Sequence, residues 1–180
     1  MAERLRLLGC DVIGADQSAE GFQAKVPHLI LDLNLPDFAS APGQGSYDLV
    51  TSIEVIEHVE NPIGFLRNVH NLLSAQGVAV ISTPNVDSLP ARIKHLMTGK
   101  IRMMDDFGDP THITPIFIGL LKQRFLPAAG LRLTNHLFFP SGGFQQTRKV
   151  LSWPLRFAAA ALPGASLLGD HHIFVLVASP

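Results

Sequence analysis

The chain has 180 residues, with 14 basic and 15 acidic side chains, a net charge of −1, and 47 % hydrophobic against only 16 % charged residues. That balance excludes a disordered chain and gives no electrostatic case for nucleic acid, and the length suits one domain with a substantial core. The single cysteine, Cys10, excludes an intramolecular disulfide and a multi-cysteine zinc site, and a reducing cytoplasm suits it.

In chain order, "MAERLRLLGCDV" is charged and then strand-like, so it does not read as a signal peptide. "DVIGAD" (11–16), "HLILDL" (28–33), "YDLVTSI" (47–53) and "GVAVISTP" (77–84) are short aliphatic or β-branched runs bounded by turn residues. Their near-continuous apolar character suits parallel strands covered on both faces. "ASAPGQGS" (39–46) reads as a surface loop; its Gly43-Gln44-Gly45 precedes a strand instead of opening a helix, so it is not a phosphate loop. A helix is predicted from Asn61, a capping residue, through Pro62 in the first turn to a stop at Gly77. Phe65, Leu66, Val69, Leu72 and Leu73 share one face of it.

A second helix is predicted over 114–128, with Ile118, Leu121 and Phe125 inward and an end near Gly130. "LRLTNHLFF" (131–139) and "HHIFVLVAS" (171–179) are two more strands, with His171 and His172 opening the last one. The irregular 140–170 stretch between them lets this pair run antiparallel at the end of the sheet. Strands alternating with helices imply a single α/β domain over 1–180, with a mainly parallel sheet, helices on both faces and an antiparallel last strand. A transmembrane helix needs about 20 apolar residues. "LRFAAAALPGASLLG" (155–169) is shorter and is broken by Pro163 and two glycines. It reads as a core-packed helix or substrate cover, and Lys149 and Arg156 beside apolar positions leave peripheral membrane contact as the alternative.

Asp16 and Asp32 end successive strands, where a carboxylate can accept hydrogen bonds from ribose hydroxyls, although Asp is also a common helix cap. In "SIEVIEHVENP" (52–62), Glu54, Glu57 and His58 stand where an apolar strand gives way to a helix, the rim on which α/β proteins bind ligands.

"VIGADQS", "LDLNLP" and "YDLVTSIEVIEHVENPIGFLRNVHNLLSAQGVAVISTPN", followed by "DPTHITPIF" and "LLKQRFLPAAGL", resemble a class I S-adenosylmethionine-dependent methyltransferase. The likeness is to the broad group of the ubiquinone-biosynthesis O-methyltransferases, running from about residue 5 to 139 and returning in the last strand. It implies a Rossmann-like fold and S-adenosylmethionine as cofactor. By position, Asp16 matches the acidic ribose ligand, Asp32 and Leu33 the adenine contacts, and Ser52, Ile53 and Glu54 the strand end beside the methionine portion. Glu57 and His58 then face the methyl-transfer cleft. Methyl transfer is an in-line displacement whose main demands are alignment and, for some acceptors, removal of a proton. His58 is the first candidate base, with Glu57 orienting it, and His112 is the second. The alternative is that His58 caps the turn and Glu57 is solvated. No metal is expected, although the family's E-x-x-E-H resembles a magnesium site that would recruit Glu54, Glu57 and His58.

The family's glycine-rich turn after the first strand has no counterpart, and "MAERLRLLGC" resembles the end of the helix that follows it. The expectation is therefore a chain beginning roughly 40 residues late by family proportions, without the central strand. Two strand edges would then be exposed. A fragment, a degenerate non-catalytic relative and a homodimer that fills the gap are the three readings of this. The acceptor is expected to be a small or amphiphilic, lipid-linked or aromatic molecule. The 140–170 insertion would vary its contacts, and Phe138, Phe139, Phe144, Trp153 and Phe157 would either line an apolar pocket or belong to the core. The alternatives to a methyltransferase are a non-catalytic binding or scaffold module on the same fold and a nucleotide-dependent oxidoreductase.

Overall fold

A computed structural model of the chain describes residues 1–20, 22–106, 108–141, 143–145, 154–155, 157–158, 161 and 167–179. Helix α1 (Ala2–Leu7) leads into two three-residue strands, β1 (Gly14–Asp16) and β2 (His28–Ile30), paired in parallel. Both are shorter than their apolar runs. After Ile30 the Asp32 carboxylate accepts the Asn34 N–H at 2.9 Å, a turn that diverts the chain from the ladder. β3 (Tyr47–Ile53), β4 (Leu73–Pro84), β5 (Leu131–Phe139) and β6 (His171–Ala178) form a second sheet in the order β3-β4-β6-β5. β4 runs parallel to β3 and antiparallel to β6, which is antiparallel to β5. β6 is thus the one reversed strand of that sheet, set between β4 and β5 at its far end. Among the described residues no ladder joins β1 to β3.

Helix α2 (Pro62–Leu72) begins where the Asn61 side chain accepts the Gly64 N–H at 2.9 Å. Asn61→Ala is expected to cost about 1 kcal/mol in urea unfolding, the usual value of such a cap. The helix stops at Leu72 rather than at Gly77, because Leu73 turns extended and starts β4 without a loop. Gly77 has a different task. β3 and β4 change register between Tyr47 and Leu49, and a Cβ on Gly77 would lie 2.6 Å from the Tyr47 carbonyl oxygen. Only glycine fits that approach.

An unanticipated helix, α3 (Leu89–Thr98), carries its own signals. Ser88 caps it, Pro90 sits in its first turn, and Gly99 closes it in the left-handed region at φ 70°. The helix expected over 114–128 starts only at Ile118, whose N–H is capped at 2.8 Å by the distant Asp87 carboxylate. It then runs as α-helical Ile118–Leu120, a π-helical turn Leu121–Phe125, and α-helical Leu126–Ala128. The core sits between α2 and the second sheet, where Phe65, Leu66, Val69 and Leu72 pack with Ala79, Ile81, Leu121, Leu126, Phe174 and Leu176. Leu31 and Phe38 from the β2 side join it. Buried Asn68 of α2 accepts the Ala39 N–H and donates to the Pro36 carbonyl, fixing the loop after β2 to the helix. No helix of the described residues is long and apolar enough to cross a membrane.

Candidate functional site at the carboxyl ends of the strands

β3 ends in Ser52 and Ile53, and the next residue, Glu54, has φ 53°. A side chain other than Gly or Asn in this left-handed region is strained and must be held there. Glu54 is held from both ends. Its N–H donates to the Ser82 carbonyl (3.2 Å) and hydroxyl (3.1 Å), and Ser82 Oγ donates back to Oε1 at 2.6 Å. Oε2 lies 2.9 Å from His171 Nδ1, and a carboxylate only accepts, so Nδ1 carries the proton. Burial pushes the Glu54 carboxyl up, but the hydrogen bonds from His171 and Ser82 outweigh it and hold the group below its usual range. The same hydrogen bond raises the His171 imidazole.

Ile56–His58 form a 3-10 turn that buries Glu57 completely. Thr83 Oγ1 donates to its Oε2 at 3.0 Å, while Oε1 has no hydrogen-bond partner among the described residues. Burial pushes this carboxyl up to about 7, with the Glu54 charge adding to it. The Glu57 carbonyl accepts the N–H groups of Ile113 (3.0 Å) and Thr114 (2.9 Å), which brings His112 alongside. His112 Nδ1 donates to the Met103 carbonyl at 2.8 Å, and His58 Nδ1 to the Thr111 carbonyl at 3.1 Å. The two rings meet edge to face at 4.7 Å. Both Nε2 lone pairs are left near the unsatisfied Glu57 Oε1, at 4.0 Å from His58 and 3.9 Å from His112. Glu57 is therefore neither solvated nor hydrogen-bonded to His58. The orienting partner of His58 is Thr111.

The E-x-x-E-H set is not assembled as a ligand group, because Glu54 is engaged by Ser82 and His171. Glu57, His58 and His112 instead bring one donor atom each to within 4.8 Å of one another. The orphaned carboxylate oxygen and the two imidazoles, each fixed through its other nitrogen to a carbonyl, fit a divalent cation. Two nitrogens and one oxygen suit a zinc-like ion better than magnesium, which takes oxygen ligands.

On the other side of the rim, Asp16 closes β1, exposed, with Oδ1 accepting the Ser18 N–H at 3.2 Å. Asp32, also exposed, accepts from Gln17 Nε2 at 3.4 Å, so the two strand tips adjoin. Leu33 is packed against the core and Ile53 is exposed. Ser52 is buried, and its hydroxyl has no hydrogen-bond partner among the described residues. Asn34 Oδ1 accepts the Glu60 N–H at 2.9 Å, tying the loop after β2 to the entrance of α2. The exposed carboxylates and the orphaned hydroxyl fit a polar nucleoside ligand lying across these tips.

A cavity of about 470 Å³ adjoins the rim, lined by Glu54, Pro84, Lys94, His112 and His171 and by Arg102, Met103, Asp105, Gly108 and Asp109. Its outer wall is pinned by the ion pairs Arg102–Asp170 (2.9 Å) and Lys94–Asp105. In the sequence His171 stands only as the opening of the last strand, and this wall is not anticipated there. Among the described residues, none of Phe138, Phe139, Phe144 and Phe157 lines this cavity. Phe138 packs on His136 and His172, Phe144 is buried, and Phe139 and Phe157 are exposed. Trp153, Lys149 and Arg156 lie outside the described residues.

A family described as "Methyltransferase domain" matches residues 1–139. The ubiquinone biosynthesis O-methyltransferase of Ruegeria pomeroyi is 35 % identical over 92 residues, which are 47 % of this chain and 37 % of that protein. Its counterpart from Roseobacter denitrificans is 33 % identical over 91 residues, with the same two coverages of 47 % and 37 %. The chain thus spans little more than a third of the relatives it matches. Among solved structures, a SAM-dependent methyltransferase from Archaeoglobus fulgidus superposes with a TM-score of 0.65 at 18 % identity, covering 97 % of this chain and 79 % of that one. A TehB-like SAM-dependent methyltransferase from Corynebacterium glutamicum gives 0.54 at 18 % identity, covering 99 % and 73 %. At these identities the likeness establishes the mixed α/β, Rossmann-like fold, with its mostly parallel strands and one antiparallel strand.

Proposed function

We propose, because this chain belongs to the methyltransferase-domain family, that it transfers a methyl group from S-adenosylmethionine to an oxygen or nitrogen of a small or amphiphilic acceptor. One observation carries this reading. The tips of β1 and β2, with Asp16 and Asp32, are tied through Asn34 to the rim that holds Glu54, Glu57 and the cavity. A nucleoside half-site and an acceptor half-site therefore share one edge. With one exposed thiol, Cys10, we place the chain in a reducing cytoplasm.

The cofactor supplies, when bound, an electrophilic methyl carbon on a sulfonium. Asp16 accepts the ribose hydroxyls, and Asp32 with Leu33 holds the adenine. Ser52, Ile53 and Glu54 flank the methionine portion, the buried Ser52 hydroxyl gaining there the hydrogen-bond partner it lacks. On the acceptor side Glu57, His58 and His112 present one carboxylate and two imidazoles that orient the acceptor directly or through a cation.

Calorimetric titration of S-adenosylhomocysteine into the chain tests this. Binding is expected, and Asp16→Ala should weaken it about ten- to a hundredfold, the worth of a charged group's hydrogen bonds at 1.5–3 kcal/mol. A folded chain that gives no binding heat would overturn the enzymatic reading in favour of a non-catalytic binding module.

A further inference from the structure

We propose that His171, oriented by Glu54, takes the proton from a hydroxyl-bearing acceptor seated in the cavity between the tips of β3, β4 and β6 and the wall of Arg102, Met103 and Asp105. The inference rests on the methyl-transfer reading and assigns its proton acceptor.

Four observations lead to it. The φ of 53° at Glu54 is a strain of about 1–3 kcal/mol that the neighbouring strand holds in place through three hydrogen bonds with Ser82. Its outcome is to place one carboxylate oxygen 2.9 Å from the first ring of β6, 117 positions along the chain. That contact fixes the His171 tautomer, with the proton on Nδ1 and the lone pair on Nε2, which has no hydrogen-bond partner among the described residues. Glu54 and His171 both line the cavity.

Of the other imidazoles of the region, His58 does not line the cavity. His112 does, with its Nε2 3.9 Å from the buried Glu57 oxygen and, unlike His171, no carboxylate hydrogen-bonded to its other nitrogen. His172 is fully buried and bonded at 2.9 Å to His136. A hydroxyl is the acceptor group that needs such a base, because a neutral oxygen that gains a methyl group must lose its proton. The nearby cations Arg102 and Lys94 are paired with Asp170 and Asp105.

In the step, the acceptor O–H bond breaks and its proton passes to His171 Nε2. The oxygen's electron pair forms the new C–O bond as the donor's carbon–sulfur bond breaks, and the sulfur leaves as a neutral thioether. The imidazolium left behind is stabilised by Glu54.

4-Nitrophenol is the probe, because its ionised form has its own visible band. At a pH where the free probe is mostly neutral, binding to the full chain should generate the phenolate band. His171→Gln should abolish the band. Glu54→Gln should reduce it about tenfold, the lower end of what a hydrogen bond to a charged group contributes, because the imidazole loses the carboxylate that raises it. If His171→Gln fails to fold, Glu54→Gln carries the test alone. A band that survives unchanged in these variants, a probe bound only in its neutral form, or no uptake of the probe would each overturn the assignment. The titration with S-adenosylhomocysteine reports separately on the methyl-donor side. Absence of the phenolate band in the wild type with donor-side binding intact sinks only the role of His171, and a phenolate band without donor-side binding sinks the methyl-transfer reading.

Discussion

Glu57→Gln is expected to stabilise the chain by about 3 kcal/mol at pH 8 and to change it little at pH 4. In the folded state this carboxyl titrates at about 7 instead of 4.5, chiefly because it is fully buried. Below pH 4.5 it is protonated whether the chain is folded or not, and its environment imposes no penalty. Between 4.5 and 7 the unfolded chain releases the proton while the folded one keeps it. Stability therefore falls across that window by about 1.4 kcal/mol per pH unit and levels off above it. Glutamine imitates the protonated acid, can still accept from Thr83 Oγ1, and has no charge to bury. Urea unfolding of both proteins in a chelator, at pH 4 and pH 8, gives the difference directly. Parallel pH dependences would show that Glu57 ionises freely in the folded chain. A divalent cation held by Glu57, His58 and His112 would compensate the charge in place of the proton, so in the wild type the loss at high pH should be smaller when such an ion is supplied.

Phe174→Ala is expected to cost about 3–5 kcal/mol, the range for truncating a buried phenylalanine. Phe174 is only 1 % exposed and occupies the middle of β6, the strand that joins β4 to β5. Its ring stacks on His136 at 5.1 Å and on His172 at 5.3 Å. The same apolar surroundings hold both imidazoles far below their ordinary range, at about 4 and about 3, mainly through burial. A domain has in total about 5–15 kcal/mol of stability, so this single truncation removes a large share of it. A midpoint shift in urea of less than about 1 kcal/mol equivalent would mean that the site collapses around the smaller side chain.

Much of the rim is legible in the sequence. Apolar runs that end in Asp16 or in Ser52-Ile53-Glu54 announce a strand and then its polar tip. The face formed by Phe65, Leu66, Val69 and Leu72 announces α2. The end of α2 is not legible, because Leu73 continues the helical pattern and serves equally well as the first residue of a strand. The Glu54–His171 contact has no local signal at all. It exists because β6 enters the sheet reversed, so that its first residue falls beside the last residues of β4, with His171 opposite Pro84. His112 is placed by two backbone hydrogen bonds to the Glu57 carbonyl, which no periodicity encodes. Both cases depend on tertiary registration rather than on propensity.

Because no ladder joins β1 to β3, and no backbone-to-backbone hydrogen bond links residues 1–44 to the rest among the described residues, the two halves are held by side chains alone. Leu31, Phe38, Asn34 and Asn68 make that seam. A seam without a backbone ladder is expected to open more readily than the β3-β4-β6-β5 sheet, which slower amide exchange in that sheet than in β1 and β2 would show. On the proposed reading, a nucleoside that touched Asp16 on one side and the Ser52–Glu54 tip on the other would act as a strap, and its binding would be expected to slow amide exchange in β1 and β2.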